Sequence, residues 1–150
     1  MPLRLLYVVH RVPYPPNRGD RIRSYHLLKC LAARGEVDLA FLCNETPDVE
    51  TLAALERHAA RVAAVRLGRS RWVRGAWSFA AGRSATEGLF RSHRLVHVLK
   101  QWSETTRYDG AVAFCSSMAP YLDLPGLRNV PALVDLVDVD SQKWLDYAAQ

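Results

Sequence analysis

Leu3-Arg4-Leu5-Leu6-Tyr7-Val8-Val9 opens the chain as a short apolar run, followed by the proline-rich stretch His10-Arg11-Val12-Pro13-Tyr14-Pro15-Pro16-Asn17-Arg18-Gly19 and then by Asp20-Arg21-Ile22-Arg23-Ser24-Tyr25-His26-Leu27-Leu28. These three pieces predict a strand, a loop and a helix. In open α/β sheets the loops at the carboxyl ends of strands are where ligands bind, so the first loop is the leading candidate for a functional surface. Gly19 lets a backbone come close to a ligand, and a helix N-terminus just beyond it suits an anion. Three prolines stiffen the loop, so less entropy is lost when it closes on a ligand.

The same alternation continues outward. Leu27, Leu28 and Leu31 share one face of a helix that Asp20 is placed to cap and that reaches about Arg34, with Gly35 expected as its left-handed terminator. Residues 37–43 are almost wholly apolar, in the manner of a strand covered on both faces. Thr46-Pro47 predicts a second helix with proline at its first position, reaching about Ala59, and Arg61 to Leu67 a more polar strand near a sheet edge. Residues 85–105 read as helix with a break near Ser92, residues 110–115 as a small-residue strand, residues 116–121 as a helical turn, and residues 131–137 as the last strand. A further helix, capped by Asp140 or Ser141, is expected after it. Strand alternating with helix predicts a Rossmann-like α/β/α domain with a mainly parallel sheet and right-handed crossovers.

With 150 residues the chain has the size of one domain. Hydrophobic residues make up 49% and charged residues 23%, the balance of an ordinary globular protein. Every apolar run is broken by charge within about ten residues, too short to span a bilayer. The start of the chain lacks the pattern of a signal peptide, which predicts a cytoplasmic location. Cys30, Cys43 and Cys115 are widely spaced within apolar runs and are expected to be buried free thiols.

The net charge of +5 is unevenly spread: from Arg66 to Arg94 there are seven arginines and one acid, Glu87, with Trp72, Trp77, Phe79 and Phe90 among them. Arg69, Arg71, Trp72, Arg74 and Trp77 have the composition of an interfacial anchor that would meet an anionic membrane surface. The same composition admits a rival reading, a non-enzymatic basic α/β module binding nucleic acid or another polyanion. A receiver-type regulatory domain is disfavoured because His10 and Arg11 stand where its acidic residues would gather.

Dinucleotide, P-loop, nucleophile-elbow and zinc-protease motifs are all missing from the sequence. Two constellations remain. Arg18 and Arg21 flank Gly19 and Asp20 at the start of the first helix, with His10 at the end of the first strand, the one histidine whose position suggests chemistry. At the other end, Asp135-Leu136-Val137-Asp138-Val139-Asp140-Ser141-Gln142-Lys143-Trp144 crosses the end of the last strand, its carboxylates fit to act as bases or to hold hydroxyls. If the backbone stays extended, Asp135, Val137 and Val139 face one side and Asp138 and Asp140 the other. No metal site is expected from aspartates alone.

Taken together, His10-x-x-Pro13-Tyr14-Pro15-Pro16-x-x-Gly19-Asp20-x-x-Arg23-Ser24-Tyr25-His26 and Asp135-x-x-Asp138-Val139-Asp140-Ser141-x-Lys143-Trp144 resemble the N-terminal domain of a GT-B glycosyltransferase of the retaining family 4. The resemblance is to the sugar transferases of exopolysaccharide and PEP-CTERM systems. It covers the element order of the whole chain. Many members carry paired glycines where this chain has Gly19-Asp20, and histidine where it has Val137.

The resemblance implies an acceptor-side domain facing a donor-binding C-terminal domain that this chain lacks. It implies metal-independent transfer, without a cofactor, from a nucleotide-sugar to a saccharide or lipid-linked acceptor, peripheral at the inner face of the membrane and without nucleic acid as partner. It assigns Asp138 as the catalytic residue. His10, Arg18, Gly19, Asp20, Arg21, Asp135, Asp140, Ser141 and Lys143 are then substrate-binding, and the 150-residue fragment alone is expected to be inactive.

Overall fold

A computed structural model describes residues 1–68, 80 and 89–137. Five parallel strands form one sheet: β1 (Leu3–Val9), β2 (Gly35–Cys43), β3 (Arg61–Arg66), β4 (Gly110–Phe114) and β5 (Ala132–Asp135), in the order β3-β2-β1-β4-β5. Helices α1 (Gly19–Ala32) and α2 (Val49–Glu56) connect β1 to β2 and β2 to β3; α3 (His93–Thr105) precedes β4, and a 3₁₀ helix (Ser116–Asp123) joins β4 to β5. The domain is Rossmann-like, with three α/β/α layers. Strand order reverses between β1 and β4, which directs ligands to the carboxyl edge of the sheet.

Period-two alternation sorts the core into two halves. Tyr7, Val9, Leu39, Phe41 and Phe114 pack with Leu28 of α1 and Leu55 of α2. Leu6, Val8, Ala40, Leu42 and Ala113 pack on the opposite face with Leu95 and Leu99 of α3 and Met118 of the 3₁₀ helix. Because both faces are covered, β2 is buried without a break from Val37 to Cys43, the reason its sequence reads as a continuous apolar run. β3 takes one edge of the sheet, as its polar composition predicts, and β5 the other.

One polar cluster interrupts the second half of the core. Asp38, 1% exposed in β2, receives the Arg61 guanidinium through Nε at 2.9 Å and Nη2 at 2.5 Å, and the Tyr108 hydroxyl at 2.7 Å. Arg61 Nη2 also donates to Thr106 Oγ1 at 2.8 Å, and its guanidinium lies 4.7 Å from the Trp102 ring centroid. The bond to Asp38 pushes the Arg61 pKa up; burial, then the Asp38 bond, pushes the Tyr108 pKa up. Asp38 precedes the carboxyl end of β2 by five residues, roughly 16 Å of strand, so the cluster ties β2, β3 and the turn before β4 together far from the ligand edge.

Local chemistry moves several element ends. Arg18, not Asp20, stands at the N-cap of α1 and makes no side-chain cap bond; Asp20 lies in the first turn. α2 starts two residues beyond Pro47 because the Asp48 carboxylate accepts from the Thr51 amide at 2.8 Å, satisfying a first-turn donor that a proline start would leave open. Gly35 does not terminate α1 in a left-handed conformation: α1 closes on Ala33 in right-handed geometry, and Gly35 is the first residue of β2. A Cβ there would sit 2.3 Å from the Leu3 carbonyl oxygen, so close approach of β1 demands the glycine. Gly35→Ala is therefore expected to cost about 1–3 kcal/mol by forcing the paired backbones apart, read as a lowered urea midpoint at constant slope. Gly19→Ala, with nothing within 4 Å of its Cβ and a helical backbone, serves as the control and should leave the midpoint unchanged or raise it. Equal midpoints for the two variants would refute the packing role of Gly35.

The expectation of three buried thiols fails for Cys30, which lies on the exposed side of α1; Cys43 is buried and Cys115 half-buried, and all three are free. β5 ends at Asp135, short of the expected Val137, because Val137 has φ of 62° and leaves the extended region. The alternation expected from Asp135 to Val137 is broken there, and Asp138 and Asp140 lie outside the described residues.

Candidate functional site at the carboxyl edge of the sheet

β1, β2 and β3 deliver their carboxyl ends to one open cleft of about 700 Å³. The loop after β1 contributes His10, Arg11, Val12, Tyr14 and Arg18, with Arg21 from the first turn of α1. The loop after β2 contributes Asn44, Glu45, Thr46, Pro47 and Asp48, and Leu67, Leu89 and Phe90 form an apolar flank.

His10 is held by rings. Its imidazole stacks on Phe114 of β4, centroids 5.9 Å apart and planes 12° apart, and meets Phe90 edge-on at 5.8 Å. Nδ1 is buried and makes no hydrogen bond among the described residues. Burial foremost, and Arg11 second, push the His10 pKa down to about 4, so the ring is neutral at neutral pH.

The N-terminus of α1 borders the same cleft. Arg18 is extended at φ −137° and ψ 153°, and its carbonyl accepts from the Ile22 amide at 2.7 Å to start the helix ladder. With no side-chain cap, the first amides of α1 keep their donors unclaimed by any side chain among the described residues, at the positive end of a 14-residue helix. The open space around Gly19 leaves the approach to them clear, and the fold has no packing reason to exclude a side chain there. Asp20 faces Arg11, Oδ2 to Nη1 3.9 Å, a long and exposed pair that holds little energy.

Asp135 stands apart from the cleft lining. Arg23 of α1 grips it with both arms, Nε to Oδ2 and Nη2 to Oδ1 each at 3.0 Å, and Oδ1 also accepts from the Val137 amide at 3.0 Å. With its oxygens so engaged, Asp135 fastens the end of β5 to α1 and holds the Val137 turn. Cys115, at the end of β4, has φ of 82°; its amide donates to the Asp135 carbonyl at 2.8 Å and its carbonyl accepts from Met118 at 3.0 Å. Two non-glycine residues with positive φ thus sit side by side at the ends of β4 and β5, conformations that cost of order 1–3 kcal/mol each and persist only when neighbours impose them.

Of the residues singled out by sequence, His10, Arg18 and Arg21 line one cleft, with Gly19 and Asp20 between the two arginines in the chain, and Asp135 is placed on Arg23. Asp138, Asp140, Ser141 and Lys143, and the anchor residues Arg69, Arg71, Trp72, Arg74 and Trp77, lie outside the described residues. Sequence reasoning missed the loop of residues 44–48 and Phe90. The rule that picked out the loop after β1 applies equally to the end of β2, but Phe90 carries no local signal. Among the described residues no helix is long and apolar enough to cross a membrane, and no group of three His, Cys, Asp or Glu side chains could hold a metal ion. Compared with known proteins, the chain matches no protein-family model and no curated protein.

Proposed function

We propose that this chain is the acceptor-side half of a GT-B glycosyltransferase, and that its cleft receives the diphosphate of a nucleotide-sugar during transfer to a saccharide or lipid-linked acceptor. One observation carries the reading: an uncapped helix N-terminus opens, beside Arg18 and Arg21, which have no ion-pair partner among the described residues, into a cleft at the carboxyl ends of three parallel strands. Helix amides and two guanidinium groups supply directed donors for phosphate oxygens, and charge-assisted bonds of this kind are among the stronger ones available to a protein. Neutral His10, fixed between Phe114 and Phe90, gives the cleft an uncharged wall beside the anion. The remaining assignments are taken from the resemblance: Asp138 as catalytic residue, Asp140, Ser141 and Lys143 as substrate contacts, residues 69–77 as a membrane contact, and the nucleotide held from the other side by a second domain.

The test is calorimetric titration of the chain with a panel of nucleotide-sugars, together with turnover assays on the chain and on a form joined to a donor-binding domain. Arg18→Ala with Arg21→Ala is expected to weaken binding at least about tenfold, the loss of one or more charge-assisted bonds, while the circular dichroism spectrum stays unchanged. Turnover is expected only in the two-domain form and is abolished by Asp138→Ala. Affinity indifferent to both arginines would refute the cleft as the diphosphate site.

A further inference from the structure

We infer that Glu45 selects for a sugar on the phosphate: the cleft takes a phosphorylated, polyhydroxylated ligand and uses this carboxylate to accept its hydroxyls. The inference rests on the cleft being the diphosphate site and adds which part of the ligand the second loop reads. Arg18 and Arg21 border the cleft from the β1–α1 side and Glu45 from the β2–α2 loop. No nitrogen of either arginine comes within 4.0 Å of a Glu45 oxygen, since neither forms an ion pair with it. The other acid lining the cleft, Asp48, gives one oxygen, Oδ1, to the Thr51 amide as the cap of α2, whereas both Glu45 oxygens are open to the cleft. Glu45 has no hydrogen bond or ion pair among the described residues and is exposed to the open cleft.

A cleft built for a bare anion gains nothing from such a group. An ionised carboxylate beside a phosphate repels it, and it lowers the potential that the arginines and the helix N-terminus create. The carboxylate becomes favourable only if the ligand brings donors to it. Ionised glutamate is an acceptor with two oxygens and no donor, matched to the hydroxyls of a sugar ring, and its bonds to them are charge-assisted. A ligand lacking those hydroxyls leaves the repulsion uncompensated, so one residue both attracts the correct ligand and rejects the wrong one.

The experiment compares UDP with UDP-glucose by titration calorimetry on the wild-type chain, Glu45→Gln and Glu45→Ala. The wild type is expected to bind UDP-glucose more tightly than UDP. Both variants should weaken UDP-glucose, Glu45→Ala by about tenfold and Glu45→Gln by less, because the amide keeps one neutral acceptor. The same variants should leave UDP unchanged or bind it more tightly, since a repulsive charge has gone. Weaker UDP-glucose binding without any weakening of UDP is the signature. Parallel changes in both ligands, or none in either, would overturn the role of Glu45 while leaving the diphosphate site standing. Absence of binding of both ligands to the wild type would overturn the diphosphate site and this inference with it.

Discussion

Asp38→Ala is expected to destabilise the chain by about 2–3 kcal/mol, less than for a fully buried pair because Arg61 keeps about a third of its side chain in solvent. The loss takes the acceptor from the Tyr108 hydroxyl and empties a pocket that Asp38 fills at 1% exposure, while Arg61 keeps Thr106 Oγ1 and the Tyr108 oxygen as acceptors. Small domains hold only about 5–15 kcal/mol in total, so the variant sits near the threshold of folding. For that reason Asp38→Leu with Arg61→Met is the informative companion. Apolar residues of similar volume remove both charges together, and such replacements are often neutral or stabilising. Urea unfolding should find the double variant well above Asp38→Ala. If Asp38→Ala unfolds within about 1 kcal/mol of wild type, the range of an exposed ion pair, the cluster is not a buried brace.

The second large effect is on pH. His10 has its folded-state pKa pushed from 6.5 down to about 4, chiefly by burial. As pH falls below about 6.5 the unfolded chain takes up a proton that the folded ring refuses. The contribution of His10 is therefore present in full above that value, drains away between about pH 6.5 and 4, and is flat below. The difference in affinity for the proton corresponds to about 3 kcal/mol across the window. His10→Phe removes the titration and the unbonded Nδ1 while keeping a ring between Phe114 and Phe90, so its stability should be flatter than wild type over that range by the same amount. Identical slopes for the two proteins between pH 7 and 4 would refute the assignment. Across the physiological range the cleft works with a neutral imidazole, and a ligand meets His10 as an uncharged group.

Much of the site's framework is legible in the first 43 residues because the signals there are local. An apolar run covered on both faces, a proline-stiffened loop and a helix with leucines on one side each depend on neighbours within a turn or two of chain. The errors are local as well, and share one cause: a polar or small residue near an element end has several uses. Asp20 was available as a cap but lies two residues past it, within the first turn, Pro47 yields the start of α2 to Asp48, and Gly35 serves close packing against Leu3 instead of a left-handed turn. Geometry across strands chooses among such uses, and periodicity cannot see it.

By itself the sequence determined that this is an α/β chain, where β1, β2 and β4 run, and that the loop ending at Gly19 stands at a carboxyl strand end. Burial of apolar side chains at periods of two and 3.6 residues dictates those features wherever the strands later pair. Only the tertiary structure decided the partners. Arg23 meets Asp135 across 112 positions of chain, Tyr108 meets Asp38 across 70, and His10 is clamped by Phe90 and Phe114 beside the loop after β2. Those meetings depend on β4 adding to the free side of β1 and on the parallel register Val9↔Phe114 and Phe114↔Asp135. Strand order is a property of the whole sheet, because each strand's apolar pattern is satisfied equally well beside several neighbours and only the summed burial of both faces selects one arrangement.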